Sequence, residues 1–113
     1  MPQIKRETRI KKELAKLEKL FAGLPENERR FVAPLLQNAA FMAVTLEDLQ
    51  VEINENGVTD QYKNGENQFG RKISADIQAY NTTMKTYNTL MDKLMAKLPQ
   101  ELRENKLGKF LNE

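Results

Sequence analysis

The residue types that could carry chemistry in this chain are carboxylates, lysines, tyrosines and hydroxyls, because its 113 residues include no cysteine and no histidine. That composition excludes thiol nucleophiles, disulfides, Cys/His zinc sites and imidazole acid–base catalysis. The five glycines form neither GxGxxG nor GxxxxGK(S/T), so no phosphate-binding loop is indicated. We therefore predict a protein that is not an enzyme and that uses no cofactor.

The only crowded carboxylates are Glu47, Asp48, Glu52 and Glu55. Their spacing places them near one another on a helix. Such a group could hold a divalent cation, because carboxylate oxygens are its preferred ligands. A charge run of this kind is more often a solvated helix face, and we predict no metal site.

A second pattern lies in the segment YNTTMKTYNT, in which Tyr80-Asn81 and Tyr87-Asn88 are seven residues apart. The two tyrosines belong to an apolar series with alternating steps of four and three, which is typical of helix-to-helix packing. Each buried tyrosine hydroxyl needs a hydrogen-bond partner, and the two asparagines could supply it. The series consists of Ile73, Ile77, Tyr80, Met84, Tyr87, Met91, Leu94 and Leu98.

Three interpretations of this seam stay open. It could close a helical hairpin within the chain, form an interface between subunits, or offer stacking surfaces to nucleic acid. Packing is the more usual use of aromatic residues at helical spacing. The residues predicted for an oligomer interface are Ile73, Ile77, Tyr80, Met84, Tyr87, Met91 and Leu94.

The net charge of +2 is unevenly distributed along the chain. Residues 1–19 hold seven Lys/Arg against three Asp/Glu, residues 20–60 hold two against seven, and residues 61–113 hold nine against six. The basic arm could contact the acidic middle of another copy or present a basic face to phosphates. The candidate DNA-binding residues are Lys5, Arg6, Arg9, Lys11, Lys12, Lys16 and Lys19, with Arg71 and Lys72 as second candidates.

The hydrophobic periodicity predicts an all-α fold, namely a long helical hairpin with an N-terminal basic helix and a short C-terminal helix. Helix one is expected from about Ile4 to Ala22, with an apolar stripe formed by Ile10, Leu14, Leu17, Phe21 and Leu24. A kinked helix two is expected from about Pro25 to Asn54 through Pro34. Its apolar side is marked by Phe31, Leu35, Met42, Leu46, Leu49 and Ile53 and is widened by Ala39, Ala40 and Phe41. Residues 56–72 are expected to form a glycine-rich loop in which a short hairpin could occur. Helix three is expected to start after Ser74 as N-cap and to end before Pro99.

This pattern divides the chain into a basic arm (1–24), a helical hairpin core (25–99) and a C-terminal tail or helix (100–113). No apolar run is long enough to span a bilayer, and the basic N-terminus is followed by no signal-peptide core. We therefore expect no membrane association and a cytoplasmic location.

Residues 42–99 resemble the small subunits of tailed-phage terminases, particularly the short type from phages of Gram-positive bacteria. The resemblance is carried by LEDLQVEINENG, in which a helix closes on Asn56-Gly57, by the polar loop YKNGENQFGRK, and by LMDKLMAKLP, in which a Leu-rich helix stops at Pro99. Two positions depart from the family pattern. Lys72-Ile73-Ser74 replaces the usual Asn-Pro at the start of the last helix, and Ala96-Lys97-Leu98 replaces Leu-Gly-Leu before the closing proline.

The resemblance implies a non-enzymatic DNA-packaging protein of the bacterial host cytoplasm. Such a subunit binds viral double-stranded DNA, assembles with itself into a ring-like homo-oligomer and regulates the large terminase subunit. The alternative is a small helical protein–protein adaptor, or another phage morphogenesis or regulatory factor, that does not bind DNA. In that case the helix-three seam would receive a partner helix.

Overall fold

The computed structural model of the chain describes residues 5–63 and 69–100, with only the backbone of residues 61–63 and 69. The fold is all-α, as predicted, with helices α1 (Arg6–Leu20), α2 (Glu26–Asn56) and α3 (Ala75–Met95) in the described part. A two-stranded sheet of β1 (Thr59–Lys63) and β2 (Phe69–Ile73) lies between α2 and α3. The predicted C-terminal helix falls almost wholly on residues 101–113, outside the described residues.

Helix α1 packs on α2 through the apolar stripe that the sequence predicts. Ile10 and Leu14 are half-buried against the core, and Leu17 is buried completely. The chain then turns through Phe21 and Leu24, which are both buried and are joined by a backbone hydrogen bond of 3.2 Å. Because steps of three and four return to the same side of a helix, one face of α1 enters the core and the other stays in solvent.

Helix α2 is the central element, because both α1 and α3 pack along it. It contains 31 residues, which correspond to a length of about 46 Å at 1.5 Å per residue. Pro34 lies inside the helix without ending it, so the expectation of one long helix is confirmed. Within residues 5–63 and 69–100, none of the helices is long and apolar enough to cross a membrane.

The buried face of α2 agrees only in part with the predicted one. The sequence analysis placed Phe31 and Phe41 on its apolar side, but their side chains are 65% and 53% exposed. The residues buried on α2 are Val32, Leu36, Ala39, Ala40, Val44 and Leu46. Ala39, Ala40 and Leu46 are buried as predicted. Because a helix with neighbours on two sides needs a wide apolar surface, the buried face also includes Val32, Leu36 and Val44, which the predicted side did not contain.

Gly57 ends α2 in a conformation that favours glycine. Its φ is 83° and its ψ is −177°, and its N–H donates to the Ile53 carbonyl at 2.8 Å. A side chain at this φ and ψ is strained whatever space surrounds it. The prediction that Asn56-Gly57 closes the helix is confirmed.

The segment predicted as a glycine-rich loop contains an antiparallel β-hairpin. Thr59 pairs with Ile73 at its base, and Lys63 pairs with Phe69 near its tip. The base is joined to α3, because Ser74 N–H donates to the Val58 carbonyl at 2.9 Å. Ile73 therefore belongs to β2, which corrects the prediction that it opens the helical seam.

Helix α3 begins as predicted, with Ser74 as N-cap. The Ser74 hydroxyl accepts a hydrogen bond of 3.0 Å from Ile77 N–H. The main core lies at the opposite end of α3, where Leu94 and Leu98 meet the buried residues of α1 and α2. The whole core cluster comprises Leu17, Leu20, Phe21, Leu24, Val32, Leu36, Ala39, Ala40, Leu94 and Leu98.

Candidate nucleic-acid and subunit interface

Helix α1 carries a face of lysines opposite its core-facing stripe. Lys12, Lys16 and Lys19 follow one another at steps of four and three, so they share one side of the helix. Lys12 and Lys19 are exposed, and Lys16 is half-exposed. Lys5 and Lys11, which are also DNA-contact candidates, are exposed as well. These lysines give this side of α1 a basic surface.

The two arginines of α1 point elsewhere, into a cluster with the acidic part of α2. We call this set the α1–α2 ion-pair cluster; it consists of Arg6, Arg9, Thr45, Glu47 and Asp48. Arg9 contacts Asp48 at 2.6 Å and Glu47 at 2.9 Å, and Arg6 contacts Asp48 at 2.5 Å. Arg6 also donates to the Thr45 hydroxyl.

Arg6 is fixed further by an aromatic ring. Its guanidinium carbon lies 4.8 Å from the centre of the Phe41 ring, which is a cation–π distance. The charged end of Arg6 thus has a carboxylate, a hydroxyl and an aromatic face as neighbours. These contacts attach the N-terminal turn of α1 to the middle of α2.

The electrostatics of the cluster favour the charged forms of both partners. Burial alone would raise the pKa of Asp48, but hydrogen bonds from Arg9 and Arg6 outweigh it and hold the pKa below its usual value. Hydrogen bonds to Asp48 and Glu47 raise the pKa of Arg9. Asp48, which accepts from both arginines, therefore links the two helices as a charged carboxylate at neutral pH.

This cluster bears on two expectations drawn from charge. The basic arm could have contacted the acidic middle of another copy or presented a basic face to phosphates; in the structure Arg6 and Arg9 contact acidic residues of their own chain. The carboxylates Glu47 and Asp48 are also used as arginine acceptors. Within the described residues, no group of three or more carboxylates is arranged to hold a metal ion.

The second pair of DNA-contact candidates lies on the hairpin. Arg71 and Lys72 are exposed on β2, where they pair with Gln61 and Asp60 of β1. The Asp60 carboxylate accepts a hydrogen bond of 3.1 Å from Ala75 N–H, so it links the strand to the first turn of α3. The hairpin thus presents two cations on a short, anchored ribbon.

The helical seam meets the main core only toward the C-terminal end of α3. Leu94 is only 1% exposed and is enclosed by its own chain, while Tyr87 and Met91 are partly buried against the same core. Ile77, Tyr80 and Met84 are half-buried as well, but they lie outside this core cluster. The C-terminal half of the predicted oligomer interface therefore packs within the chain, and its N-terminal half retains accessible surface.

The Tyr80 hydroxyl has a hydrogen-bond partner that was not predicted from the sequence. Tyr80 accepts a hydrogen bond of 3.0 Å from the Gln50 side chain of α2, in place of the proposed neighbour Asn81. Tyr87 is half-buried, and burial together with the nearby negative charge of Glu13 raises its pKa. Both tyrosines therefore contribute to packing between helices, and the signal for Gln50 was absent from the local sequence because the contact spans thirty residues.

Comparison of the chain with protein-family models, with curated protein sequences and with solved structures finds no match in any of the three.

Proposed function

We propose that this protein is a terminase small subunit, a non-enzymatic DNA-packaging protein that binds viral double-stranded DNA and assembles with itself and with the large terminase subunit in the host cytoplasm. The observation that carries the proposal is the lysine face of α1, formed by Lys12, Lys16 and Lys19 with Lys5 and Lys11 nearby. The resemblance of residues 42–99 to terminase small subunits indicates the class of function. The lysine face supplies the surface that this function needs.

The position of this face suits contact with a phosphate backbone. The α1–α2 ion-pair cluster holds the first turn of α1 against α2, and the core holds its last turn. The lysines are therefore carried on a helix that is fixed at both ends. A rigid row of cations releases counterions on binding without first having to be ordered.

A charge reversal tests the DNA-binding surface. In a Lys11→Glu/Lys12→Glu variant, we expect weaker binding to a mixed-sequence DNA duplex and a log–log salt slope that is less steep by about two, since each phosphate contact contributes about one. Fluorescence anisotropy at several salt concentrations measures both quantities. The control is Lys93→Glu/Lys97→Glu, which changes the net charge equally on α3. Unchanged affinity and slope in the α1 variant would exclude the arm as the DNA-binding surface.

Self-association would use the part of the seam that its own chain leaves accessible. Ile77, Tyr80 and Met84 are partly exposed on the N-terminal half of α3, and α-helices with such apolar faces associate readily. Native mass spectrometry tests this part of the proposal: a closed assembly of many copies supports the terminase function.

The same exposed half-seam also favours the second candidate, a helical adaptor that receives one partner helix. A monomer or dimer that causes no shift of DNA mobility would support the adaptor.

A further inference from the structure

An open apolar groove runs between the first half of α2 and the second half of α3, and it has a volume of about 1050 Å³. Leu35 and Met42 line it from α2, and Leu90 lines it from α3. Two aromatic side chains of the α2 wall, Phe31 and Phe41, are largely exposed. Large apolar side chains gathered on one surface of a protein mark a site of interaction.

Both walls of the groove have the periodicity of a helix face that packs against a further helix. The lining residues recur at steps of four and three on each wall. Examples are Phe31, Leu35 and Asn38 on α2, and Leu90, Lys93 and Lys97 on α3. Along α3 the lining extends from Lys85 to Lys97, a helical length of about 18 Å. A helix of about twelve residues has the same length, so it could lie in the groove with an apolar side chain at every turn.

The charge of the groove is confined to its α3 wall and has one sign. The charged residues among the described lining residues are Lys85, Lys93 and Lys97, and all three are exposed. Asp92 of α3 and Glu28 of α2 are exposed as well, but they do not line the groove. Within residues 5–63 and 69–100, none of the three lysines forms an ion pair with a carboxylate, whereas both arginines of α1 do. The α3 wall can therefore accept carboxylates from an occupant.

The apolar part of the groove decides between a protein and a nucleic acid as occupant. Bases of a single strand could stack on the two phenylalanines while the lysines met its phosphates. Each ring, however, already has a cation near one face: Lys97 lies 5.3 Å from the centre of Phe31, and Arg6 lies 4.8 Å from the centre of Phe41. Between the rings the groove is lined by leucine and methionine side chains, which offer bases no hydrogen bonds and pack well against the apolar face of a helix.

We propose that this groove binds an acidic amphipathic α-helix of a partner protein. The apolar side chains of that helix enter between Leu35 and Leu90, and its carboxylates lie beside Lys85, Lys93 and Lys97. This site is separate from the accessible N-terminal half of the α3 seam. The inference depends neither on DNA binding nor on self-association, so it stands or falls separately from the proposed function.

Two fluorescent peptides of equal length test the charge of the occupant. Each has about 16 residues, slightly more than the helical length of the groove, and carries leucines at steps of three and four. One peptide has glutamates at the flanking positions, and the other has lysines. In anisotropy titrations of the full chain at low salt, we expect the glutamate peptide to bind at least about tenfold more tightly. Lys85→Glu/Lys93→Glu should reverse this preference.

A second pair of variants tests the place of binding. Phe31→Ser/Phe41→Ser should weaken binding of the glutamate peptide at least about tenfold, because it removes the largest apolar contacts of the groove. Val51→Ser removes an exposed apolar side chain from α2 outside the groove and should leave the affinity unchanged. The matched charge control is Lys11→Glu/Lys12→Glu on α1, which should keep the preference for the glutamate peptide. Circular dichroism shows whether each variant is folded.

Four results would overturn the proposal. Equal binding of the two peptides, or binding of neither, would mean that the groove does not select an acidic helix. Binding that survives Phe31→Ser/Phe41→Ser in a folded protein would place the helix elsewhere. Saturable binding of an oligothymidylate that this variant loses would assign the groove to single-stranded nucleic acid. Self-association of the chain without peptide, again lost in this variant, would assign the groove to a second copy.

Discussion

Asp48 is the side chain through which both arginines of α1 are attached to α2. It accepts from Arg6 at 2.5 Å and from Arg9 at 2.6 Å, while it remains 39% exposed. Because a partly exposed ion pair is screened by water and salt, its stabilising effect is modest. Its structural effect is larger, since it decides where the basic helix lies.

We expect Asp48→Asn to lower the free energy of unfolding by about 0.5–1 kcal/mol at neutral pH, the range for a partly exposed pair. The folded-state pKa of Asp48 is lowered, so its contribution is present above the unfolded pKa of about 3.9 and is lost as pH falls through the folded value. The stability difference between variant and parent should therefore shrink below about pH 4. Urea unfolding at pH 7 and pH 3 measures this difference.

The matched control for Asp48 is Glu55→Gln, which removes one negative charge two turns further along α2. An equal loss of stability in both variants would mean that the overall negative charge of α2, and not the ion-pair cluster, holds α1 in place.

Gly57 gives a second prediction at the residue scale. Its φ of 83° with ψ of −177° lies in a region that is almost restricted to glycine, although a Cβ at this position would meet nothing within 4 Å. We expect Gly57→Ala to cost about 1–3 kcal/mol through backbone strain alone. Val58→Ala, at the exposed neighbouring position, should change stability by less than about 0.5 kcal/mol. A neutral Gly57→Ala variant in urea unfolding would show that the end of α2 adopts another conformation.

At the scale of elements, the seam of α3 has one period in sequence but two environments in the structure. Leu94 packs in the core, while Ile73 lies in β2 with 57% of its surface exposed. The difference arises because α1 and the first half of α2 cover only the C-terminal end of α3. A heptad pattern records which side of a helix is apolar, and the extent of its neighbours decides how much of that side is buried.

A pair of truncations in the seam measures this gradient. We expect Leu94→Ala to cost about 2–5 kcal/mol, because it opens a cavity in the core, whereas Ile73→Ala should cost less than about 0.5 kcal/mol. Thermal and urea unfolding of the two variants provide the comparison. An equally large cost at Ile73 would reveal that another surface covers the hairpin base.

The helices were predictable from sequence because their signals are local. The stripe of Leu14 and Leu17, the Ser74 cap and the Asn56-Gly57 stop each occupy a few adjacent residues, and each is found in the structure as predicted. The sequence did not decide whether residues 56–72 form a β-hairpin, because two Asn-Gly pairs and a polar composition fit both a loop and a two-stranded ribbon. Ile73 was assigned to the helical seam because its spacing from Ile77 fits the apolar series, but it precedes the N-cap Ser74 and lies in β2.

The candidate site was less predictable, because its contacts are distant in sequence. Arg9 reaches Asp48 across 39 residues, and Gln50 reaches Tyr80 across 30. Opposite charge in two segments indicated that they attract one another. It did not indicate whether the contact forms within one chain, since that depends on the path of the turn through Phe21 and Leu24.

At the scale of the whole molecule, the cations of α1 fall into two groups: those paired with carboxylates of α2 and those exposed to solvent. The molecule is elongated, with extents of 63 × 33 × 23 Å. Arg6 and Arg9 are neutralised by carboxylates of α2, whereas Lys11 and Lys12 are exposed to solvent. The net charge of +2 is therefore a poor guide to the field that a polyanion meets near α1.

Two substitutions that change the net charge equally separate these groups. Arg9→Gln should lower the free energy of unfolding by about 0.5–1 kcal/mol and leave the salt slope of DNA binding nearly unchanged, because its charge is already paired. Lys12→Gln should leave the free energy of unfolding within about 0.5 kcal/mol of the parent, because lysine and glutamine have similar helix propensities and the position is exposed. It should also make the salt slope less steep by about one. Urea unfolding and anisotropy titrations at several salt concentrations measure the two effects on the same proteins. If Arg9→Gln reduced the salt slope as much as Lys12→Gln, DNA would be drawing Arg9 away from Asp48, and the ion-pair cluster would open on binding.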